Sequence, residues 1–447
     1  MTNKKIKRFS QTRFIVLGFI IIILIGTLLL MTPLASKDNS MTSFMDCIFT
    51  AVSTTCVTGL AAVDTYSHWS FFGQVIILCL IQIGGLGFIT IGVFFSVLLR
   101  RRIGLKTRGM MQESVNTLQI GGVVKLTKKI IKGTFIIEGI AALILGIRFS
   151  FDFGFVKGMW YGIFHSISAF CNAGFDLMGI YEPYTSLVPY VYDPIVNIVI
   201  MLLITIGGIG FIVWDDVSVN KFKFKKYSLH TKVVLLTSAI LTFGGAILFF
   251  VTEYNNTMKD MNLYQRIITS LFSSVTARTA GFNTIDTAAL SDSSKILTMA
   301  LMFIGGSPGS TAGGIKTTTL FVLLVSVWGN MTNNGNVSVF KRRFENEALH
   351  KSGIVAVLNM VLAVVAAFVI LTITNLPISD VLFEVFSAIG TVGMTTGITR
   401  SLNIGSRVII MILMFCGRVG SLSFALSFLK KKNKAPLYDP QEKISIG

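Results

Sequence analysis

Charged residues are scarce in this sequence of 447 residues: they make up 13% of the chain, and only 21 residues are acidic. An average soluble domain carries about 25% charged residues. Half that share leaves too little polar surface to cover a globular protein, although the length would suffice for about three soluble domains. The shortage excludes an ordinary cytosolic enzyme, a disordered chain and a nucleic-acid-binding protein. What is abundant is apolar sequence, at 52% of the residues.

Motifs of enzymes, zinc sites and disulfide frameworks are also missing. The five cysteines form no CxxC pair and lie in apolar segments, which predicts reduced structural thiols. There is no P-loop, no HExxH, no GxGxxG after a strand, and no nucleophile spaced with a histidine and an acid. The sequence therefore predicts neither an enzyme nor an organic cofactor in this chain. Any nucleotide control must come from another chain.

The net charge of +18 resides at the ends of long apolar runs. Because cytoplasmic loops of membrane proteins collect Lys and Arg, these clusters predict a multi-pass protein of the cell membrane with both termini in the cytoplasm and eight crossings. A cleaved signal peptide is the alternative for the first run, which is longer than an ordinary signal core. The basic clusters lie at 4–13, 100–108 with 125–132, 221–232, 341–351 and 430–443, and the predicted crossings at 14–31, 71–99, 130–147, 191–214, 233–251, 296–331, 354–373 and 408–429.

A segment too short and too polar to span recurs between the two crossings of each pair. The four copies read FTAVSTTCVTGL (49–60), FHSISAFCNAGF (164–175), FSSVTARTAGF (272–282) and FEVFSAIGTVGM (383–394). Each begins with Phe and has a Gly nine or ten residues later. Three copies place a Ser six residues before that Gly, whereas the third has Val275. The second crossing repeats as well, with GGLG (84–87), GGIG (207–210), GGSPG (305–309) and GRVG (417–420).

Four copies of both features predict fourfold internal repetition. The expected fold is an all-α polytopic membrane protein with four tandem helix–pore loop–helix repeats in pseudo-fourfold array around one pore. The predicted repeats occupy residues 1–108, 109–226, 227–343 and 344–447.

Re-entrant backbone at membrane depth must be buried in protein or line a water-filled cavity. Four such segments in a fourfold array would meet on one axis, where glycine permits close approach of the backbone. Carbonyl oxygens that replace the hydration shell of a cation are the principle of a potassium filter. Short helices whose C-terminal ends face the axis would also favour a cation there. The alternative is that these segments are packing turns in a transporter with broken helices.

Longer motifs carry a family resemblance. They are TARTAGFNT (276–284), GGSPGSTAGGIKTTT (305–319), TVGMTTG (391–397), CVTGL (56–60) and ISIG (444–447). Through them, nearly the whole chain resembles the ion-translocating subunits of the Trk/Ktr/HKT superfamily of potassium transporters, most closely the KtrB type. The resemblance implies potassium uptake that sodium commonly stimulates. It also implies a homodimer with one pore per protomer, and a cytoplasmic ring of RCK-type regulatory subunits that binds nucleotide.

The predicted potassium filter consists of the three residues that end at each repeat glycine. Only 391–393 reproduces the TVG of potassium channels, so we expect weaker discrimination of potassium over sodium than in those channels. The filter residues are Val57, Thr58 and Gly59; Asn172, Ala173 and Gly174; Thr279, Ala280 and Gly281; Thr391, Val392 and Gly393.

The crossing at 296–331 is too long and too broken to be one helix, because 305–318 contains five Gly and one Pro. Below a filter this stretch would form a flexible plug, and the resemblance matches it to the gating loop of the family. A packed kink is the alternative. The predicted gate residues are Gly305, Gly306, Gly309, Gly313, Gly314, Lys316 and Arg418.

Three charged residues within apolar segments need an explanation. Arg418 stands where two other copies have Gly85 and Gly208, and the resemblance places an Arg at the constriction; a structural ion pair is the alternative. Arg278 is predicted to brace its loop from behind. Glu138 is predicted to be a buried partner for a cation, and a proton- or sodium-coupled secondary transporter that uses Glu138 is the alternative function.

Overall fold

The computed structural model is helical apart from one short hairpin, and it describes residues 11–92, 109, 111–112, 122–221, 223–332, 338–340 and 342–421. The basic clusters at 100–108 and 430–443 and the ISIG motif lie outside these residues. In the hairpin, Ser338–Val339 pairs with Arg342–Arg343. The helices are α1 Gln11–Leu30, α2 Phe44–Cys56, α3 Thr65–His68, α4 Phe71–Leu86, α5 Val123–Phe153, α6 Phe155–Cys171, α7 Pro194–Gly208, α8 Phe211–Asn220, α9 Leu229–Glu253, α10 Leu263–Thr276, α11 Asp292–Phe303, α12 Thr317–Met331, α13 Asn346–Ile373, α14 Ile378–Gly390 and α15 Ile404–Val419.

Within the described residues, four helices are long and apolar enough to cross a bilayer by themselves: α1, α5, α9 and α13. A helix of 20 residues extends about 30 Å, which matches the hydrocarbon core of a bilayer. Large apolar side chains such as Ile21, Phe243 and Phe368 are exposed on their outer faces, as lipid contact requires. Each of these helices is the first predicted crossing of a repeat.

The second crossing is interrupted in every repeat, and the sequence analysis expected this only in the third. Helix α4 ends before Gly87, α7 and α8 meet at a bend of 97° beside Gly210, and α15 ends before Gly420. These three glycines have φ values of 80°, 95° and 92°, which a helix cannot accommodate. The prediction of continuous helices at 71–99, 191–214 and 408–429 is therefore wrong within the described residues, and 93–99 and 422–429 lie outside them.

A helix of 13 to 17 residues stands in each repeat where a re-entrant segment was predicted: α2, α6, α10 and α14. Helix α2 begins at a Ser43 cap, whose side chain accepts a hydrogen bond from the Asp46 backbone, and α10 begins with a capping box of Asn262 and Gln265. All four helices are buried in their C-terminal halves. They are too short to cross the membrane and carry the chain only to the centre of the protein.

The first and fourth repeats meet directly, although they are far apart in the sequence. Helix α15 packs against α2, and Arg407 forms an ion pair with Asp46 at 2.7 Å. The repeats therefore close into a ring instead of forming an open row, and the predicted fourfold arrangement is confirmed as the fold.

Candidate cation site

The centre of the ring is formed by the four glycine loops, residues 57–59, 172–174, 279–281 and 391–393. The glycine of each loop has a positive φ, between 69° and 96°, and lies against the carbonyl oxygen of the middle residue in the next loop. The separations, measured from the position that a Cβ would occupy, are Gly59 to Ala173, 2.5 Å; Gly174 to Ala280, 2.6 Å; Gly281 to Val392, 2.3 Å; and Gly393 to Thr58, 2.2 Å. Each contact joins one repeat to the next and the last joins the fourth to the first, so the glycine loops form a closed ring.

Backbone strain recurs at the first residue of each glycine loop. Val57, Asn172, Thr279 and Thr391 have φ values of 57°, 60°, 83° and 51°. Positive φ is unfavourable for non-glycine residues, especially β-branched ones, and costs of order 1–3 kcal/mol per residue. Strain repeated at the same position of four loops indicates a geometry that the surrounding structure enforces.

Hydroxyl groups at the ends of the four short helices hold the glycine loops in shape. Ser53 accepts a hydrogen bond from the backbone of Gly59 at 3.2 Å, and Ser387 accepts one from Gly393 at 3.0 Å. In the other two repeats the hydroxyl donates to the carbonyl that follows the glycine, from Ser168 to Phe175 and from Thr276 to Phe282, both at 2.7 Å.

Comparison of the four repeat copies in the sequence identified the three serines. It missed Thr276, because the copies were aligned with Val275 at the equivalent position. The third copy is one residue shorter than the others between its Phe and its Gly. A search for a hydroxyl residue at the neighbouring position would have identified Thr276.

The ring presents oxygen atoms without carboxylates. The described residues contain no cluster of His, Cys, Asp or Glu that could hold a metal ion. Four side-chain oxygens in the glycine loops are buried and have no hydrogen-bond partner within the described residues: Oγ1 of Thr58, Thr279 and Thr391 and Oδ1 of Asn172. Unpaired buried oxygens are costly unless something else binds them, so the donor set fits a desolvated cation held by neutral oxygens.

A cavity of about 500 Å³ lies against the ring, and Gly59, Gly174, Gly281 and Gly393 all contribute to its wall. Its other walls include three aspartates and one arginine: Asp64, Asp176, Asp286 and Arg400. Burial, together with the neighbouring Asp64, raises the pKa of Asp176 to about 7. The cavity therefore carries negative charge that depends on pH near neutrality.

The segment 305–316, called the inner loop below, contacts the first residues of two glycine loops. An added Cβ on Gly313 would lie 2.0 Å from Oγ1 of Thr391, and Asn172 donates a hydrogen bond to Thr311 at 2.8 Å. Neither Asn172 nor Thr391 lines the cavity, whereas the glycines at the other end of these glycine loops do. The ring thus lies between the cavity and the inner loop.

Backbone and side-chain hydrogen bonds fix the conformation of the inner loop. Ser307 donates from its backbone to Gly208 at 2.9 Å, and Phe211 donates to Gly309 at 2.8 Å, so the inner loop is bound to the break between α7 and α8. Lys316 donates from Nζ to the carbonyls of Ala312 at 2.7 Å and Gly313 at 3.3 Å. Its ammonium group therefore binds the inner loop itself.

Arg418 joins the inner loop to the first repeat. Its guanidinium donates hydrogen bonds to the carbonyls of Thr311, Gly84 and Gly85. Among the described residues it forms no ion pair with a carboxylate, so the alternative of a structural ion pair does not account for it. The positive charge is held by peptide oxygens and is not neutralised by a carboxylate among the described residues.

The first glycine of the motif in three of the second crossings packs closely against a short helix. An added Cβ on Gly84, Gly207 or Gly417 would lie 2.0–2.2 Å from a carbonyl oxygen at the end of a short helix, namely Thr55, Phe170 and Ile389 respectively. In the first, second and fourth repeats the glycine motif found in the sequence is therefore a packing motif, as is usual for small residues in membrane helices.

The hydrogen-bond partners of two other charged residues, Arg278 and Glu138, can be compared with those expected from the sequence. Arg278 points away from the ring and donates to the carbonyl of Ser238 at 3.1 Å and to Thr242 at 3.0 Å, both on α9. Glu138 is buried, and its side-chain partner among the described residues is Gln82, at 3.1 Å, and not a cation. Within the described residues the expected cation partner of Glu138 is therefore absent, and a neutral amide supplies the hydrogen bond.

Fold and site together define a membrane protein in which four helix–loop–helix repeats surround one ring of peptide oxygens. The sequence profile of the TrkH family, described as "Cation transport protein", matches residues 2–438. The chain belongs to this family.

Similar proteins match over nearly their full length. The potassium/sodium uptake protein NtpJ of Enterococcus hirae is 40% identical, with 100% of this chain and 99% of the relative aligned. The Ktr system potassium uptake protein B of Bacillus subtilis is 40% identical over 97% of this chain and 96% of its own length. The crystal structure of the potassium transporter TrkH from Vibrio parahaemolyticus has the same fold, with a TM-score of 0.72 at 17% identity, covering 96% of this chain and 87% of that one.

Proposed function

We propose that the chain takes up potassium through the ring, where carbonyl oxygens of the four glycine loops replace the water around the ion. The closed ring of glycine–carbonyl contacts carries this proposal, because it brings together equivalent oxygens from all four repeats. The names of the relatives, potassium uptake protein and potassium/sodium uptake protein, point the same way. Flow into the cell would be driven by the membrane potential, at about 2.3 kcal/mol per charge per 100 mV.

The inner loop and Arg418 would form the gate. The loop contacts two glycine loops on the side away from the cavity, and Arg418 binds its carbonyl at Thr311. A guanidinium about 8 Å from a passing cation, at an effective dielectric near 20, repels it by roughly 2 kcal/mol. That repulsion slows a cation without blocking it, so opening would require movement of the inner loop, and Arg418 would lower the rate of passage.

Further features follow from the family resemblance. The potassium uptake protein B of Bacillus subtilis is named as part of a Ktr system, which supports a regulatory partner. For this chain we propose a homodimer with one pore in each protomer, a cytoplasmic nucleotide-binding ring of RCK type as regulator, stimulation by sodium, and cytoplasmic termini.

A secondary transporter that uses Glu138 is the second candidate. Glu138 is buried in α5, and its Oε1 has no partner among the described residues, so it could exchange a proton. In a Glu138→Gln variant, proton flux that accompanies potassium should then disappear. If neither the natural sequence nor Glu138→Gln carries a proton flux and their potassium fluxes are equal, the secondary-transporter candidate is refuted and the potassium-filter proposal remains.

The proposed function is tested by growth of a potassium-uptake-deficient cell that expresses this chain with its regulatory partner. Growth at low potassium is expected for the natural sequence. Gly281→Leu, which places a bulky side chain on the carbonyl of Val392, should abolish it while the protein is still made and inserted. Growth of the Gly281→Leu strain equal to that of the natural sequence would refute the role of the ring.

A further inference from the structure

Thr311 is the residue at which the inner loop, a glycine loop and Arg418 meet. It is fully buried. Its backbone N–H donates to the carbonyl of Gly207 at 3.2 Å, and its own carbonyl accepts a hydrogen bond from Arg418. Its hydroxyl donates to the carbonyl of Phe170 at 3.0 Å and accepts from Nδ2 of Asn172 at 2.8 Å. Every polar group of Thr311 thus forms a hydrogen bond. The partners lie on four different elements: α7, α15, α6 and the second glycine loop.

The contact with Asn172 fixes the orientation of a glycine-loop side chain. Asn172 is the first residue of the second glycine loop, has a φ of 60° and is 1% exposed. Because its Nδ2 is bound to Thr311, its Oδ1 is directed elsewhere, and that oxygen has no partner within the described residues. A buried amide that loses its acceptor will reorient or shift to find another. Movement of the inner loop would therefore break this hydrogen bond and change the orientation of the Asn172 amide.

A second contact reaches the opposite side of the ring. Gly313 and Gly314 of the inner loop lie against the side chain of Thr391 and the carbonyl of Gly390, at the start of the fourth glycine loop. The order of the ring contacts places the second and fourth glycine loops opposite one another. The inner loop thus touches two opposite members of the ring, so its position affects the ring as a whole.

We propose that Thr311 couples the inner loop to the glycine loops, so that a potassium ion in the ring and the closed position of the inner loop stabilise each other. Coupling of this kind is reciprocal: if the inner loop shapes the ring for the ion, then the ion must hold the inner loop in place. Displacement of the inner loop releases Asn172 and lowers the preference of the ring for potassium. This inference rests on the proposed function, because it requires that the ring binds potassium.

The test compares three proteins by hydrogen–deuterium exchange of the inner loop in potassium and in sodium, using the purified full chain in lipid nanodiscs. Thr311→Val removes the hydroxyl and keeps a similar shape. Ser310→Ala is the matched control, because the hydrogen bonds of the Ser310 hydroxyl to other described residues stay within the inner loop, to Ser307 and Ala312. We expect potassium to slow exchange of the inner loop at least fivefold in the natural sequence and in Ser310→Ala, and less than twofold in Thr311→Val.

Calorimetric titration of the same proteins with potassium separates the two proposals. Potassium binding with equal protection of the inner loop in all three proteins would overturn the coupling and leave the proposed function intact. If none of the three proteins binds potassium, both the coupling and the proposed function are overturned. If Thr311→Val does not fold, Thr311→Ser replaces it: this variant keeps the hydroxyl and should retain the protection, and loss of protection would overturn the role assigned to the hydroxyl.

Discussion

Replacement of Gly393 by alanine tests the ring most directly. The new Cβ would lie 2.2 Å from the carbonyl oxygen of Thr58 and 2.8 Å from Cα of Gly59, where ordinary contacts begin near 3.4 Å. Both neighbours are backbone atoms without a rotamer to change, so the Thr58 oxygen must retreat by about 1 Å. The positive φ of 92° adds about 1–2 kcal/mol of strain. A cation in the ring would then lose part of one of its oxygen ligands.

We expect the preference for potassium over sodium to fall at least fivefold in Gly393→Ala, equivalent to about 1 kcal/mol. The assay is uptake of potassium and sodium into proteoliposomes that contain equal amounts of folded protein. Gly122→Ala is the control: Gly122 also has a positive φ, of 78°, but no atom of the other described residues lies within 4 Å of the added Cβ. It should lose stability and keep its selectivity. Unchanged selectivity in Gly393→Ala, with folding confirmed by size-exclusion chromatography, would refute the role of the ring oxygens.

Three further predictions concern the gate and the cavity. Arg418→Gln removes a positive charge and weakens the contact with Thr311, so potassium flux should rise several-fold; equal flux in both proteins would show that Arg418 is only structural. Deletion of residues 309–314 should also raise potassium flux, measured with a fluorescent potassium indicator in vesicles, and unchanged or lower flux in folded protein would contradict a plug. Because its pKa is about 7, Asp176 is charged above pH 7 and neutral below it. The apparent affinity for potassium should therefore fall as the pH on the cavity side drops from 8 to 6, and Asp176→Asn should abolish this dependence; the same pH profile in both proteins would count against it.

Some features of the site were predictable because they depend on residues close together in the sequence. The recurrence of glycine after a short helix identified the four glycine loops, and the interruption at 305–316 identified the inner loop. The breaks beside Gly87, Gly210 and Gly420 were missed, since an apolar run with isolated glycines reads as one helix until its backbone angles are known. The role of Thr276 was missed because a one-residue deletion moved the hydroxyl out of register.

The partners of buried polar groups were not predictable. Glu138 was expected to bind a cation, and its partner in the part of the chain that the structure describes is Gln82. A linear pattern does not tell which of many distant side chains will be adjacent in the fold. Likewise, Thr311 contacts Asn172 across 139 residues of chain and Arg418 across 107. The family and the fourfold fold, by contrast, were both correctly identified from motifs.

The sequence by itself determined that this chain lies in a membrane and that it consists of four related units. It also determined which glycine of each unit ends the glycine loop. These properties arise from apolar content, charge position and local backbone freedom, which neighbouring residues set. Only the tertiary structure decided that the units close into a ring, that each glycine lies on a carbonyl of the next repeat, and that Arg418 binds peptide oxygens. Those contacts depend on the packing of segments that are hundreds of residues apart, and packing is a property of the whole fold.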